Sequence, residues 1–365
     1  MATLQDIAER CGVSTVTVSN VLRGKIKGSW PSSAARIQRV REVADELGYR
    51  VDWRARALKT KRTYMIGLLS TDKPETHDYD PRVLTPLIET LGEAGYQVAF
   101  VRVGDNAPAG GFADARFDGL LIDYHVEPEE LRIIQQSQTP AVIINAPSPI
   151  PDHAVSVMPD HLASGRLAAR YLLDLGHERI GFVEASETEQ TRWPSHMYDM
   201  WRSGVQAEMN HAGLADGFSR LVPESSPDDP DGPLLYYALL RQTLNQTNAP
   251  TALIVNNPIR AVEKVLSPLE KLGLRCPEDI SVLTMEDMDE LTWCRPNLSA
   301  VAIPFSDMGA LAAQQLLAMI EAGKDNASTN SIASDPDAST PALTASRLKG
   351  RVIPRESIVP VSQPD

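Results

Sequence analysis

Two periodicities divide the chain. Up to about residue 50, apolar positions recur every three or four residues, whereas from Tyr64 onward short apolar runs alternate with amphipathic stretches. The first pattern predicts three short helices. In the first, Ile7, Ala8 and Cys11 share a face, Thr3 can cap the start by accepting from the amide of Asp6, and Gly12 suits the left-handed residue that ends it. Ser14 can cap a second helix, Thr15 to about Leu22, that turns Val18, Val21 and Leu22 inward and Thr15, Val16, Thr17, Ser19 and Asn20 outward. After a loop rich in Gly, Lys and Ser (residues 23–32), a third helix carries Ile37, Val40, Ala44 and Leu47 on one face and stops at Gly48. Two short helices joined by a tight glycine turn make a helix-turn-helix. Its outward face is small and polar with Val16 as the apolar exception, which lets a helix approach base edges while hydroxyls at its start bond phosphates.

The second pattern is strand and helix in alternation. MIGLLS, QVAFVRV, FDGLLID and PAVIINA read as buried strands, with RVLTPLIETLGEAGY an amphipathic helix between the first two. After HAVSVMPD, Asp160 can cap a helix from about His161 to Leu175, and LGHERIGFVEA restarts the alternation: helix near 201–211, strand near 220–222, helix 234–245, strand TALIVN, helix 258–272, strand ISVLTM. The expected fold class is α/β, two successive doubly wound parallel-sheet halves behind an all-α head. Ligands in such folds bind where strand carboxyl ends and helix N-termini converge, so the cleft between the halves is the default site. Residues 325–346 are small, polar and low in complexity, as in a flexible insertion.

Charge sharpens this division. The net charge of −13 argues, by itself, against nucleic acid, but residues 1–62 hold 13 Lys+Arg against 6 Asp+Glu, a balance of +7, leaving 22 against 42 and −20 for the rest. A basic head on an acidic body fits a DNA-binding module joined to a domain that must not stick to DNA. A purely structural three-helix bundle would leave both the hydroxyl-rich face and this excess unexplained. Cys11, Cys276 and Cys294 lie far apart without ligand spacing, so neither a disulfide framework nor a zinc site is indicated, and the expected compartment is a reducing cytoplasm. No run approaches the length of a membrane span.

TLQDIAERCGVSTVTVSNVL and the following ELGYRVDWRARALK resemble the DNA-binding domain and hinge of the LacI/GalR family of bacterial transcription regulators. The resemblance implies that Thr3, Ser14, Thr17 and Ser19 hold phosphates, and that Thr15, Val16 and Asn20 face major-groove bases, Val16 by apolar contact and Asn20 at a purine edge. WRARALK, which Asp52 can cap, resembles the family's hinge helix in the minor groove. Leu58 stands at the place of its wedge residue, and Arg54, Arg56 and Lys59 would neutralise phosphates. So short a helix is unstable alone and would form only against DNA and a second subunit. Val51-Asp52 replace the family's Pro-Asn, and the loop before Ser33 is longer and carries Trp30-Pro31.

The body resembles the family's periplasmic-binding-protein-like effector core in LLDLGHERIGF, LGLRCPEDISVLTMEDMD and PNLSAVAIPFSDMGALAAQQLL, with RVIPRES as a closing strand. The implied domains are 1–50 (helix-turn-helix), 51–63 (hinge) and 64–365 (core), the core divided into 64–160 with 298–324 and 161–297 with 347–365. The implied partners are a palindromic duplex operator, a second copy of the chain and a small-molecule effector of carbohydrate or related type.

No catalytic constellation is present: there is no GxSxG elbow or GxxxxGK[ST] loop, and the seven histidines lack metal spacing, so no enzyme, cofactor or metal is expected. The pocket departs from the family. Its sugar-binding members carry an Arg three residues before the glycine at Gly204 and an Asp in the VNN stretch, where this chain has Trp201 and Asn257. An Arg–Asp pair grips ring hydroxyls through charge-assisted bonds, whereas Trp and Asn offer a flat stacking face and neutral bonds. Trp201, Asn257, Asp123 and Tyr79 are therefore the candidate effector residues, for a ligand other than the usual hexose or pentose. A solute-binding or carbohydrate-sensing protein with a vestigial head is the alternative, and binding to duplex DNA separates the two.

Overall fold

The computed structural model describes residues 2–22, 31–49, 57, 60, 62–71, 80–103, 117–123, 134–145, 153–186, 195–224, 233–329 and 346–361. The chain forms two compact units, Met1–Tyr64 and Met65–Asp365. The hinge candidates Arg54, Arg56, Leu58 and Lys59, and Tyr79, lie outside the described residues.

The first unit contains helices α1 (Leu4–Cys11), α2 (Thr15–Leu22) and α3 (Pro31–Glu46). Thr3 and Asp6 form a reciprocal capping box: Thr3 Oγ accepts from the Asp6 amide at 3.3 Å and Asp6 returns a carboxylate to the Thr3 amide at 2.8 Å. These bonds hold the Asp6 carboxyl below its ordinary range. Gly12 takes the left-handed conformation (φ 64°) that turns α1 into α2. Ile7, Ala8, Val18, Val21, Val40, Val43 and Ala44 make the core. Ser19 departs from expectation: it is buried, because one turn of helix sets it beside Leu22 at the edge of the inward face.

The second unit has two lobes of the same plan. The first lobe contains β1 (Met65–Thr71), α4 (Pro81–Glu93), β2 (Gln97–Val103), β3 (Gly119–Asp123), β4 (Ala141–Ile144) and β5 (Ala154–Pro159). The second contains α5 (His161–Asp174), β6 (Ile180–Val183), α6 (Ser195–His211), β7 (Phe218–Leu221), α7 (Pro233–Leu244), β8 (Ala252–Val255), α8 (Pro258–Ala261), α9 (Ser267–Lys271), β9 (Ser281–Met285) and β10 (Ser299–Ala302). A π turn, Val262–Leu266, joins α8 to α9. Helix α10 (Phe305–Thr329) then packs on α4, β11 (Ser346–Leu348) extends the first sheet, and β12 (Arg351–Ile353) extends the second.

The strand orders are β11-β5-β4-β3-β1-β2 and β12-β10-β9-β8-β6-β7, parallel throughout except for β12 on β10. Strands such as β4, β6, β8 and β9 are buried along their whole length because helices cover both faces, which is why they read as unbroken apolar runs.

Three boundaries differ from expectation. The chain returns to the first lobe after residue 302, not at 298, because Ser299–Val301 pair with Leu283–Met285 of β9. The tail does not belong wholly to the second lobe: Ser346–Leu348 pair with Val157–Pro159 of β5. Helix α10 runs into the expected insertion as far as Thr329, since no Gly or Pro interrupts it between Gly323 and Pro336.

Candidate functional site

The head offers two helix N-termini whose capping hydroxyls face solvent. Thr3 caps α1, and Ser14 Oγ caps α2 by accepting from the Thr17 amide at 3.1 Å while its hydroxyl pairs with Thr17 Oγ1 at 2.9 Å. An N-terminus carries unpaired amides and a positive dipole end, so both favour an anion such as a phosphate. Thr15 and Val16 are exposed, Val16 to 66%, and Asn20 is half-buried. An exposed valine flanked by hydroxyl and amide side chains suits a groove floor that presents both methyl groups and polar edges.

In the body, the strand order reverses at β1 in the first lobe and β6 in the second, so crevices open at the carboxyl ends of β1/β3 and β6/β8. Asp123 ends β3, opposite Ile144 of β4. Glu184 follows β6 and is buried, its carboxylate accepting from Arg202 at 2.7 Å and Arg220 at 2.9 Å. Asn256 follows β8, its backbone amide donating to Val183 O at 3.2 Å. The buried Arg260 donates to Asn256 Oδ1 and to Tyr236 Oη, and Tyr236 Oη donates to Glu184 O at 3.2 Å. The strand ends of the second lobe are thus tied into one polar network.

Of the two asparagines in VNN, Asn257 is the helix cap: its Oδ1 accepts from the Arg260 amide at 3.0 Å at the start of α8. Asn256, which sequence reasoning passed over, is the buried one, and its Nδ2 has no partner. Its position directly after an apolar strand was the available signal.

Trp201 does not present an open stacking face. Met197, Trp201, Val205 and Met209 recur every four residues along α6 and are all buried, so the indole lies on that helix's core stripe. It packs edge-on to His161 (centroids 5.4 Å apart) and against Tyr198. Gly165 and Gly204 let α5 and α6 approach closely here; a Cβ at Gly165 would collide with the Trp201 carbonyl and one at Gly204 with Leu162 O. The indole Nε1 is buried without a partner. The neighbouring Arg202 serves the Glu184 pair.

Among the described residues, the lobes meet on two sides. Asn145, which follows β4, accepts at Oδ1 from His161 Nε2 at 2.8 Å, and its amide has Met197 Sδ at 4.0 Å. On the other side, Asp80 caps α4 and grips Arg82 through both carboxylate oxygens. The Arg82 guanidinium lies 4.3 Å over the Phe305 ring and donates to the Asp287 carbonyl of the second lobe. Asp287 in turn pairs with Arg355 at 2.8 Å. Asp80, Arg82, Asp287, Trp293, Phe305 and Lys349 line an interlobe cavity of about 1050 Å³. Burial pushes the Glu286 carboxyl up to about 7, against the pull of Arg82 and with the push of Asp80. Among the described residues no group of His, Cys, Asp and Glu could hold a metal ion, and no helix is long and apolar enough to cross a membrane.

The fold and the head define a helix-turn-helix protein with a two-lobed ligand-binding body. Residues 3–52 match the model of bacterial regulatory proteins of the lacI family, and residues 169–358 match that of the periplasmic binding protein-like domain. The chain belongs to the LacI/GalR family of regulators. It is 28% identical over 329 residues to the HTH-type transcriptional repressor PurR of Serratia proteamaculans, covering 87% of this chain and 90% of that one. Among solved structures, the lac repressor dimer bound to operator and the anti-inducer ONPF superposes with a TM-score of 0.66 at 20% identity, covering 98% of this chain and 99% of that one. A LacI family regulator from Enterococcus faecium with bound ribose gives 0.59 at 20%, covering 82% and 100%. The chain is a DNA-binding transcription regulator.

Proposed function

We propose that the protein is a homodimeric repressor acting in the cytoplasm, whose two heads read the half-sites of a palindromic operator and whose interlobe cleft takes the effector. The observation that carries this reading is the head itself, where exposed hydroxyls cap two helix N-termini and Val16 is exposed, in a unit that folds around its own core. Thr3, Ser14, Thr17 and Ser19 serve phosphates, and Thr15, Val16 and Asn20 serve bases. For Ser19, whose side chain is buried, that role requires the phosphate to come to the helix edge. Arg54, Arg56 and Lys59 neutralise the central backbone and Leu58 is the wedge. Trp201, Asn257, Asp123 and Tyr79 stand around the effector, with Asn257 acting through the α8 cap. The named relatives, the transcriptional repressor PurR and a lac repressor dimer bound to operator, support repression and dimerisation.

Selection from random duplexes tests the reading. The expected product is a palindrome with a flexible central step, bound with an affinity that falls steeply as salt rises. Absence of duplex binding at low salt overturns it and favours a solute sensor with a vestigial head. Leu58→Ala should lose central bending while keeping half-site recognition, read by circular-permutation mobility.

A further inference from the structure

The bond from Arg82 to the Asp287 carbonyl crosses from the first lobe to the second, and both of its ends are fixed. On the first lobe, the Asp80 carboxylate accepts from Arg82 Nε at 2.9 Å and from Nη2 at 2.6 Å. The same carboxylate caps α4 by accepting from the Arg82 amide at 2.8 Å, so the guanidinium is tied to the helix that carries it. The Phe305 ring, 4.3 Å from the guanidinium carbon, gives it a flat face to rest on. On the second lobe, the Asp287 carboxylate pairs with Arg355 at 2.8 Å. Arg355 in turn donates to Leu298 O at 2.7 Å and, from its amide, to Ser299 Oγ at 2.9 Å at the start of β10. The acceptor is therefore anchored to the second sheet.

Arg82 also stands between two cavities. With Pro81 and Ser306 it lines both the interlobe cavity of about 1050 Å³ and a second cavity of about 470 Å³, whose further lining, Thr85, Pro86 and Glu89, belongs to α4. A guanidinium that lets go of Asp287 thus frees one lobe from the other and thins the wall that the two cavities share.

We infer that Asp80, Arg82 and Asp287 form a latch on the wall of the interlobe cavity, which holds the two lobes closed until the guanidinium is released. The closed arrangement keeps this bond and an open one loses it, because the donor moves with α4 and the acceptor with the second sheet. Its free energy therefore weighs on the closed side of the balance. A bond from a charged donor shifts such a balance about tenfold or more, and the lower figure applies here because the Arg82 side chain is 40% exposed. The latch rests on the fold. Its consequence for operator binding rests on the regulator reading: whichever arrangement suits the operator, weakening the latch changes operator affinity before any effector is added.

The test uses the full-length protein with no effector added and reads amide hydrogen exchange in segments 80–89 and 286–293, at the lobe contact. Exchange through opening scales with the open fraction. Arg82→Met keeps an apolar side chain over Phe305 and removes the guanidinium, so exchange there should quicken about tenfold while the melting temperature of the second unit stays nearly the same. Asp80→Asn keeps the cap on α4 and loosens the hold on Arg82. It should act in the same direction by less, and add nothing on top of Arg82→Met, because the two residues work as one device. Unaltered exchange in Arg82→Met, additive effects of the two changes, or a lower melting temperature without faster exchange overturns the latch. Where Arg82→Met folds poorly, Arg82→Lys keeps the charge and loses the forked grip; it should give an intermediate acceleration, and unaltered exchange overturns the latch equally. Affinity for the selected operator duplex is scored in parallel. Faster exchange with unchanged operator affinity upholds the latch and counts against coupling of the lobes to the head, so the two readings fail separately.

Discussion

The head and the cleft solve the same problem, placing polar groups where a partner can use them, by opposite means. In the head the candidate groups lie at the starts of two helices, set by residues within four positions of one another: Thr3 with Asp6, Ser14 with Thr17. In the cleft they come from strands and helices far apart in sequence, so that Asn145 meets His161, Glu184 meets Arg220, and Tyr236 meets Arg260. Local construction makes the head readable and keeps its function on exposed atoms. Distributed construction buries the cleft groups and makes each depend on packing elsewhere.

The largest expected difference follows from size. Ile7 is fully buried in the small head core, and truncation to alanine costs roughly 2–5 kcal/mol, most of what a unit of that length holds. Ile7→Ala should therefore unfold the head and abolish operator binding, while the melting transition of the second unit stays where it was. A shared loss in both units, seen by calorimetry, would end the view that they are independent.

Next in size is Gly165→Ala, which puts a Cβ into the Trp201 carbonyl and should cost about 3 kcal/mol by forcing α5 from α6. Denaturant unfolding of the second unit should register the loss, with effector response falling and head helicity unchanged.

Asn257→Ala separates a cap from a contact. Losing the bond to the Arg260 amide should cost about 1 kcal/mol of stability in the second unit. A drop in effector affinity beyond tenfold with so small a stability change would make Asn257 a ligand group in its own right.

The last effect is read in pH. Burial raises the Glu286 carboxyl from 4.5 to about 7, so the folded state binds a proton that the unfolded state has released between those values. Stability from this group is fully present below pH 4.5 and is lost as pH rises toward 7. Glu286→Gln should flatten that part of the stability profile, and an unaltered slope would remove Glu286 as its source.

Much of the fold was legible because its signals are short-range. The capping box, Gly12 and the buried stripe of α3 follow from spacing, and the apolar runs of β4, β6, β8 and β9 mark strands covered on both faces. Ser19 was misread because a helix eight residues long has no sharp boundary between its faces. Trp201 reads from its pocket position as an open stacking face, whereas Met197, Trp201, Val205 and Met209 spell out a buried stripe.

By itself, then, the sequence determined the helices of the head, the alternation of the body and the asymmetry of charge between them, because propensity, capping and hydrophobic period act over a few residues. Only the tertiary structure decided that β10 stays with the second sheet, that β11 returns to the first, and that Asn256 is buried while Asn257 caps a helix. Those outcomes depend on which backbone groups pair across the sheets and on which acceptors Arg260 has already taken, and neither is encoded at any one position.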